Sequence, residues 1–145
     1  MDRKLRRWEL ALMLGAALAL VLGAWLGGEQ RSLAGRVVRL HVIANSDSEA
    51  DQALKLAVRD GVLSRAEALY PPEATLDQAR AALAGHLDEL AAAGQAVVDA
   101  QGGTDRVTAQ LTRCWFPTKT YDGFALPAGE YEALRVVIGD GRGQN

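Results

Sequence analysis

The most reactive side chains in this sequence are a single cysteine, Cys114, and two histidines, His41 and His86. A thiol beside an imidazole can act as a nucleophile, and Cys114 and His41 both fall in segments with the alternation of β-strands. No sharp turn or helix N-terminus is predicted near Cys114 that would activate its thiol. We therefore expect a buried or disulfide-forming cysteine, a strand-surface His41 and a half-exposed His86 on a helix.

Metal and phosphate sites have weak support. Asp47, Glu49 and Asp51 resemble half of a calcium loop, but the glycine and distal glutamate of an EF-hand do not follow, and helix capping explains the three acids better. The two histidines have no metal-ligand spacing. The segment GDGRG at 139–143 follows a strand but precedes no helix, so a phosphate site is not indicated. We expect no metal and no cofactor.

The most unusual segment for contact with a partner is WFPTKTY at 115–121. Three aromatic residues, Trp115, Phe116 and Tyr121, cluster there with Lys119 in a predicted connection. Exposed aromatic side chains beside a cation commonly contact partner proteins. The alternative is that they cover the open end of a sheet, and the sequence leaves both interpretations open.

The elements that would position these residues begin with a strand at 36–44, where Val38, Leu40, Val42 and Ala44 form an apolar face. Asn45-Ser46-Asp47 ends this strand. Ser46 with Glu49 predicts a capping box at the start of a helix over 47–69. The apolar stripe of that helix has the period of an amphipathic helix and consists of Ala50, Leu54, Val58, Val62 and Leu69.

Pro71 and Pro72 end the first helix. Thr75 with Gln78 predicts a capping box for a second helix over 76–93, with Gly94 as its C-cap. Strands follow at 106–116 and 131–138, and in the first of these Val107, Ala109, Leu111 and Trp115 are expected on one face. The order strand, helix, helix, strand, strand predicts a small α+β domain.

Charge and hydropathy set the N-terminus apart. The chain has 145 residues and a net charge of −2. Residues 1–28 carry +2, which leaves −4 for the rest. The 19 residues at 10–28 have no charge and follow four basic residues, which predicts a membrane-targeting helix with the body exported. A cleaved signal peptide and a retained anchor remain equal alternatives. The acidic body argues against nucleic acid as a partner.

Two blocks carry a resemblance to a known family. RLHVIANSDSEADQALKLAVRD and CWFPTKTYDGFALPAGEYEALRVVIGDGRGQN resemble stage II sporulation protein R of endospore-forming bacteria. The resemblance implies an exported signalling protein, not an enzyme, that acts in the space between the forespore and mother-cell membranes. Its implied partner is a membrane-embedded aspartyl protease, which then processes the precursor of a mother-cell sigma factor.

The expected organisation is a signal peptide or anchor at 1–28, a linker at 29–35 and an extracytoplasmic α+β signalling domain at 36–145. The family continues past GDGRGQN with a cysteine-containing segment, so the domain is expected to be truncated here, and Cys114 is expected to pair with that missing cysteine. Two other classes stay open: an exported cysteine-dependent cell-wall enzyme and an anchored ligand-binding domain. The predicted partner-binding residues are His41, Asn45, Ser46, Asp47, Trp115, Phe116, Lys119 and Tyr121.

Overall fold

The computed structural model describes residues 7–34 and 37–144, with the side chains of residues 26–34 left out of the description. It has four helices and five strands within these ranges. The helices are α1 (Arg7–Ala34), α2 (Glu49–Glu67), α3 (Leu76–Ala84) and α4 (Leu87–Ala100). The strands are β1 (Arg39–Ile43), β2 (Val107–Phe116), β3 (Lys119–Tyr121), β4 (Phe124–Leu126) and β5 (Gly129–Ile138). The predicted α+β class is confirmed.

The N-terminal helix α1 runs further than the apolar segment that predicted it. It continues to Ala34, so the backbone is helical through most of the linker that we expected at 29–35. The sequence EQRSLA at 29–34 contains no glycine or proline and is rich in good helix formers, so nothing in it ends the helix. Residues 1–6 and 35 of the predicted segment and linker lie outside the described residues.

The main sheet has the strand order β1-β5-β2, with β5 in the centre. β5 runs parallel to β1 and antiparallel to β2, and β2 and β5 pair over ten residues each, from Val107↔Ile138 to Phe116↔Gly129. The predicted connection after β2 contains a second, two-stranded sheet. There β3 and β4 pair antiparallel around an Asp122-Gly123 turn, and Gly123 has a φ of 92° that suits glycine.

One face of the main sheet packs against α2 and α4. The core there joins Val58 and Val62 of α2 and Leu90 and Val98 of α4 to strand residues of β1, β2 and β5. The apolar stripe of α2 is as predicted at 58 and 62. Its N-cap is not, because the Ser48 side chain accepts from the Asp51 N–H at 3.1 Å, so the helix begins at Glu49 and the predicted Ser46 cap is wrong.

The second predicted helix is two helices, separated at Gly85-His86. Its N-terminal capping box is confirmed: the Gln78 N–H donates to Thr75 Oγ1 at 3.2 Å, and the Thr75 N–H donates to Gln78 Oε1 at 3.0 Å. The Gly94 cap is wrong, because Gly94 is buried inside α4. A Cβ there would lie 2.9 Å from Val107 Cγ1, so glycine allows close packing rather than chain reversal.

The opposite face of the sheet carries a smaller apolar cluster of Phe116, Tyr131 and Ala133. Because side chains alternate along β2, Phe116 belongs to the face of Cys114 and Thr112, while Trp115 belongs to the helix-covered face. That face is no longer covered at the end of β2, and Trp115 is 63% exposed. Trp115 therefore lies on the predicted face with Val107, Ala109 and Leu111, but it stays outside the core.

Candidate docking surface

Exposed aromatic side chains gather at the end of the sheet where β2 leads into the β3–β4 hairpin. Trp115 is 63% exposed, Phe124 52% and Tyr121 39%. The rings of Tyr121 and Phe124 stack with centroids 5.2 Å apart, and Lys119 Nζ lies 5.7 Å from the Tyr121 ring. We call Trp115, Lys119, Tyr121 and Phe124 the aromatic surface. Large amphipathic rings that stay outside the core are typical of partner contacts.

Phe116 supports this end of the sheet from within. Its ring is 8% exposed and makes edge-on contacts with His41 at 5.4 Å and with Tyr131 at 5.9 Å between centroids. The Arg39 guanidinium carbon lies 4.1 Å from the centre of the Phe116 ring and 4.9 Å from that of Tyr131. The Tyr131 hydroxyl donates to the Pro127 carbonyl. Phe116 and His41 are thus packing residues beneath the aromatic surface.

A groove of about 690 Å³ runs along the outer edge of β1. One wall is α2, through Lys55, Leu56, Arg59 and Leu63, and the other is the hairpin. Leu56 is 48% exposed and Leu63 is 42% exposed, so this wall presents apolar surface to the solvent. We call this feature the β1 groove. It adjoins the aromatic surface, because Lys119 and Tyr121 line it too.

The block Asn45-Ser46-Asp47 has a different role at the other end of β1. Ser46 Oγ donates to Asp51 Oδ2 at 2.5 Å and Asn45 Nδ2 donates to the same oxygen at 3.3 Å. These hydrogen bonds, that from Ser46 first, hold the pKa of the Asp51 carboxyl below its ordinary value. The side chains fix the loop between β1 and α2.

The same block holds the segment GDGRGQ at 139–144. The Asn45 side chain accepts from the Asp140 N–H at 2.8 Å, and Asp47 Oδ1 accepts from the Gln144 N–H at 2.6 Å. Backbone bonds add to this, since Arg142 N–H donates to the Asn45 carbonyl and the N–H of residue 143 donates to that of residue 44. The glycines of this segment therefore allow close contact between two backbone segments of the same chain. This contact accounts for the sequence GDGRG without a phosphate site.

The two predicted contact blocks lie at opposite ends of the sheet. Ile43 pairs with Val137 of β5, whereas Phe116 pairs with Gly129. Eight residues of β5 separate the two positions, which is roughly 26 Å of extended strand. The eight predicted residues therefore do not form one patch. Trp115, Lys119 and Tyr121 are exposed at one end, and Asn45, Ser46 and Asp47 make contacts within the chain at the other.

Cys114 and His41 lie on the two strands that flank β5. Cys114 pairs with Tyr131 and His41 with Arg135, so their backbones are offset by four positions of β5. A nucleophile and its base need hydrogen-bond reach, about 3 Å, and the ring contact described for His41 is with Phe116. Within residues 7–34 and 37–144, no group of three or more metal-ligating side chains comes together.

Sequence reasoning missed the β1 groove and Phe124. Leu56 and Leu63 lie seven positions apart with Arg59 between them, a second helical stripe beside the Val58–Val62 core stripe. That extra pair of leucines was the available signal. Phe124 follows an Asp-Gly turn, and the hairpin that exposes it was hidden in a segment rich in turn residues.

The N-terminal helix has the properties of a membrane span. Residues Arg7–Trp25 form a 19-residue helical stretch with a mean hydropathy of 1.8, and this stretch is not buried in the protein. As a helix it is roughly 28 Å long, close to the hydrocarbon thickness of a bilayer. α1 ends five residues before β1, and it approaches β4. The aromatic surface is therefore at the end of the sheet nearer to α1.

Comparison with known proteins agrees with the two sequence blocks. A family model described as stage II sporulation protein R matches residues 34–145. The curated stage II sporulation protein R of Bacillus subtilis (strain 168) is 33% identical over 110 residues, which cover 76% of this chain and 49% of that protein. The chain thus spans about half the length of the curated relative that it matches. No solved structure matches it. The family model and the relative agree, and the chain belongs to the stage II sporulation protein R family.

Proposed function

We propose that this protein is an exported or membrane-anchored sporulation signal that activates a membrane-embedded aspartyl protease by binding to it. The protease would then process the precursor of a mother-cell sigma factor. Family membership supports the role in sporulation, and the apolar helix α1 supports placement at a membrane. We also propose that the chain performs no bond chemistry of its own and acts by binding alone.

The observation that carries the proposal is the aromatic surface. In residues 37–144, the large hydrophobic side chains that are exposed lie on this surface or in the adjoining groove: Leu56, Leu63, Trp115, Tyr121 and Phe124. Such a concentration is typical of a surface that a partner covers. The rings have few rotatable bonds, so ordering them on binding costs little conformational entropy.

Activation by binding needs a difference in affinity. A ligand shifts its target toward the active state only as far as it binds that state more tightly. A tenfold change in the ratio of the two states requires a difference of about 1.4 kcal/mol, and one buried aromatic anchor supplies about 2 kcal/mol or more. Rings that are covered only in the active assembly of the protease would each favour that assembly by an amount of this order.

The test is co-expression of this chain with the candidate protease and the sigma factor precursor in a host that does not sporulate. We expect precursor cleavage with the native chain. We expect a loss of much more than tenfold with Trp115→Ala, Tyr121→Ala and Phe124→Ala combined, because each anchor alone corresponds to more than a factor of about ten. These three side chains are exposed, so the fold should persist, which immunoblotting and circular dichroism would check.

The matched control replaces two exposed polar residues on β2, the strand that carries Trp115. This variant, Thr108→Ala with Gln110→Ala, should leave precursor cleavage unchanged. Normal cleavage with the triple variant would remove the aromatic surface from the mechanism. Cleavage of the precursor by the purified chain without the protease would overturn the proposal as a whole.

A further inference from the structure

The β1 groove combines an unpaired edge of the sheet with charged side chains of one sign. Within the described residues, β5 is the strand that pairs with β1, and the opposite edge of β1 faces the groove. Alternate residues of an edge strand turn their N–H and C=O groups outward, where an added strand can pair with them. The edge is flanked by α2 and by the β3–β4 hairpin, so an added strand would contact both.

The charged residues that line the groove are all basic: Arg39, Lys55, Arg59 and Lys119. No acidic residue is among its described lining residues. This is unexpected, because residues 29–145 carry a net charge of −4. Arg59 pairs with Asp60 at 2.9 Å, but both side chains are at least half exposed, so this pair is weak and exchangeable.

Two further features favour an occupant that brings carboxylates and apolar side chains together. Nη1 of Arg39 has no hydrogen-bond partner among the described residues, although the guanidinium is held against two rings. Leu56 and Leu63 expose apolar surface on the α2 wall. Because side chains alternate along a strand, an added strand presents one row to the leucines and the other to Arg39 and Lys119.

We propose that the β1 groove binds an extended segment of a partner protein, with acidic and apolar residues in alternation, as an additional strand on β1. This deepens the proposed function, because it rests on a protein partner and specifies the kind of segment that the partner offers. The carboxylates would meet Arg39 and Lys119, the positive charges of Lys55 and Arg59 on the α2 wall would attract the same acidic segment over a longer distance, and the main chain would pair with β1. An anionic lipid surface fits the charge but would leave the edge of β1 unpaired.

The experiment uses the full chain in nanodiscs of phosphatidylcholine, which are neutral overall. The probe is a rhodamine-labelled decapeptide in which Glu and Val alternate, and binding is followed by fluorescence anisotropy. We expect saturable binding that weakens with salt. The decapeptide in which Lys replaces Glu should not bind.

Lys55→Glu with Arg59→Glu should weaken binding of the Glu-Val peptide by roughly tenfold or more, since each like-charge contact opposes the complex. The matched control is Arg106→Glu, an exposed basic residue at the far end of β2, which should leave binding unchanged. Circular dichroism would show that each variant is folded.

A second probe tests strand addition itself. The same peptide with N-methyl groups on alternate residues keeps its charge but loses main-chain donors, and we expect it not to bind. Equal binding of the methylated peptide overturns the proposal. The proposal is also overturned if the Glu-Val peptide does not bind. It is overturned as well if the groove instead binds phosphatidylglycerol vesicles, or a second copy of the chain, in a charge-dependent way. None of these readouts uses precursor cleavage, so the proposed function stands or falls separately.

Discussion

At the scale of single residues, Asp51 is the side chain on which the loop after β1 converges. It accepts hydrogen bonds from Ser46 and Asn45, and its own N–H donates to Ser48. Asn45 in turn holds the segment after β5 through the Asp140 N–H. One carboxylate therefore connects the start of α2 to the end of the sheet.

This arrangement predicts a specific acid sensitivity. Because the pKa of Asp51 is lowered in the folded state, its contribution to stability is present above the unfolded pKa and is lost as pH falls through the folded pKa. The unfolding temperature should therefore fall less steeply for Asp51→Asn than for the native chain between about pH 5 and about pH 2.

Parallel curves of unfolding temperature against pH for the native chain and for Asp51→Asn would contradict the prediction.

Sequence reasoning at this scale identified residue types better than partners. The block NSD was recognised as a turn and cap, but two serines compete for the cap, and only the backbone path decides that Ser48 takes it. Similarly, the clustering of aromatics at 115–121 was visible. Which of them is buried depends on the pleat of β2 and on Tyr131, a residue that is distant in sequence. Phe116 packs against Tyr131 and is buried, whereas Trp115 points to the other face and is exposed.

At the scale of elements, the packing of α2, α4 and β2 depends on Gly94. A Cβ at this position would lie 2.9 Å from Val107 Cγ1 and 3.3 Å from one γ-methyl each of Val58 and Val62. Three elements thus meet at a point where only hydrogen fits. Helix propensity alone would favour alanine over glycine at this position by about 1 kcal/mol. The close packing of the three elements outweighs this preference.

Gly94→Val should therefore lower the free energy of unfolding by about 1–3 kcal/mol through overpacking. The matched control is Ala92→Val in the same helix, where the side chain is exposed and only the propensity difference of about 0.5 kcal/mol applies. Urea unfolding of the full chain in nanodiscs, followed by near-ultraviolet circular dichroism, gives both values. A smaller loss at Gly94 than at Ala92 would contradict the packing argument.

The elements themselves were largely predictable because their patterns are local. The strand at 36–44, the helix ended by Pro71-Pro72 and the Thr75–Gln78 capping box all follow from nearby residues. The break at Gly85-His86 was not predicted, because the alanine-rich sequence favours one long helix and the single glycine, Gly85, was outweighed by its neighbours. The β3–β4 hairpin is too short to show a clear period of two.

At the scale of the whole molecule, the parallel pairing of β1 with β5 gives the sheet two structurally different ends. The chain enters β1 from α1 at the end that carries the aromatic surface, and the segment after β5 docks at the other. Sequence reasoning could not assign these ends, because strand order and direction depend on long-range pairing. The proposed partner would accordingly meet the protein near the N-terminal helix.

The orientation of the whole chain should depend on its basic N-terminus. The residues are Arg3, Lys4, Arg6 and Arg7, which should stay on the cytoplasmic side. With β-lactamase fused after residue 145, the native chain should confer ampicillin resistance, and replacement of these four residues by Asn should reduce it. Replacing Arg106 and Arg142 by Asn serves as the control and should have no effect. Equal ampicillin resistance in cells that express the native chain, the N-terminal variant and the control would contradict this topology.

The spacing of glycines in GDGRGQ has a consequence for how this segment can change. A Cβ on Gly139, Gly141 or Gly143 would come within 3.0 Å of atoms of Asn45, Val137 or Ala44, respectively. The residues between them contribute main-chain N–H groups to the contact, which any amino acid except proline can supply. Inserting or deleting one residue would exchange the two sets and put a side chain where there is no room. The segment therefore tolerates substitution at every second position but no change of length.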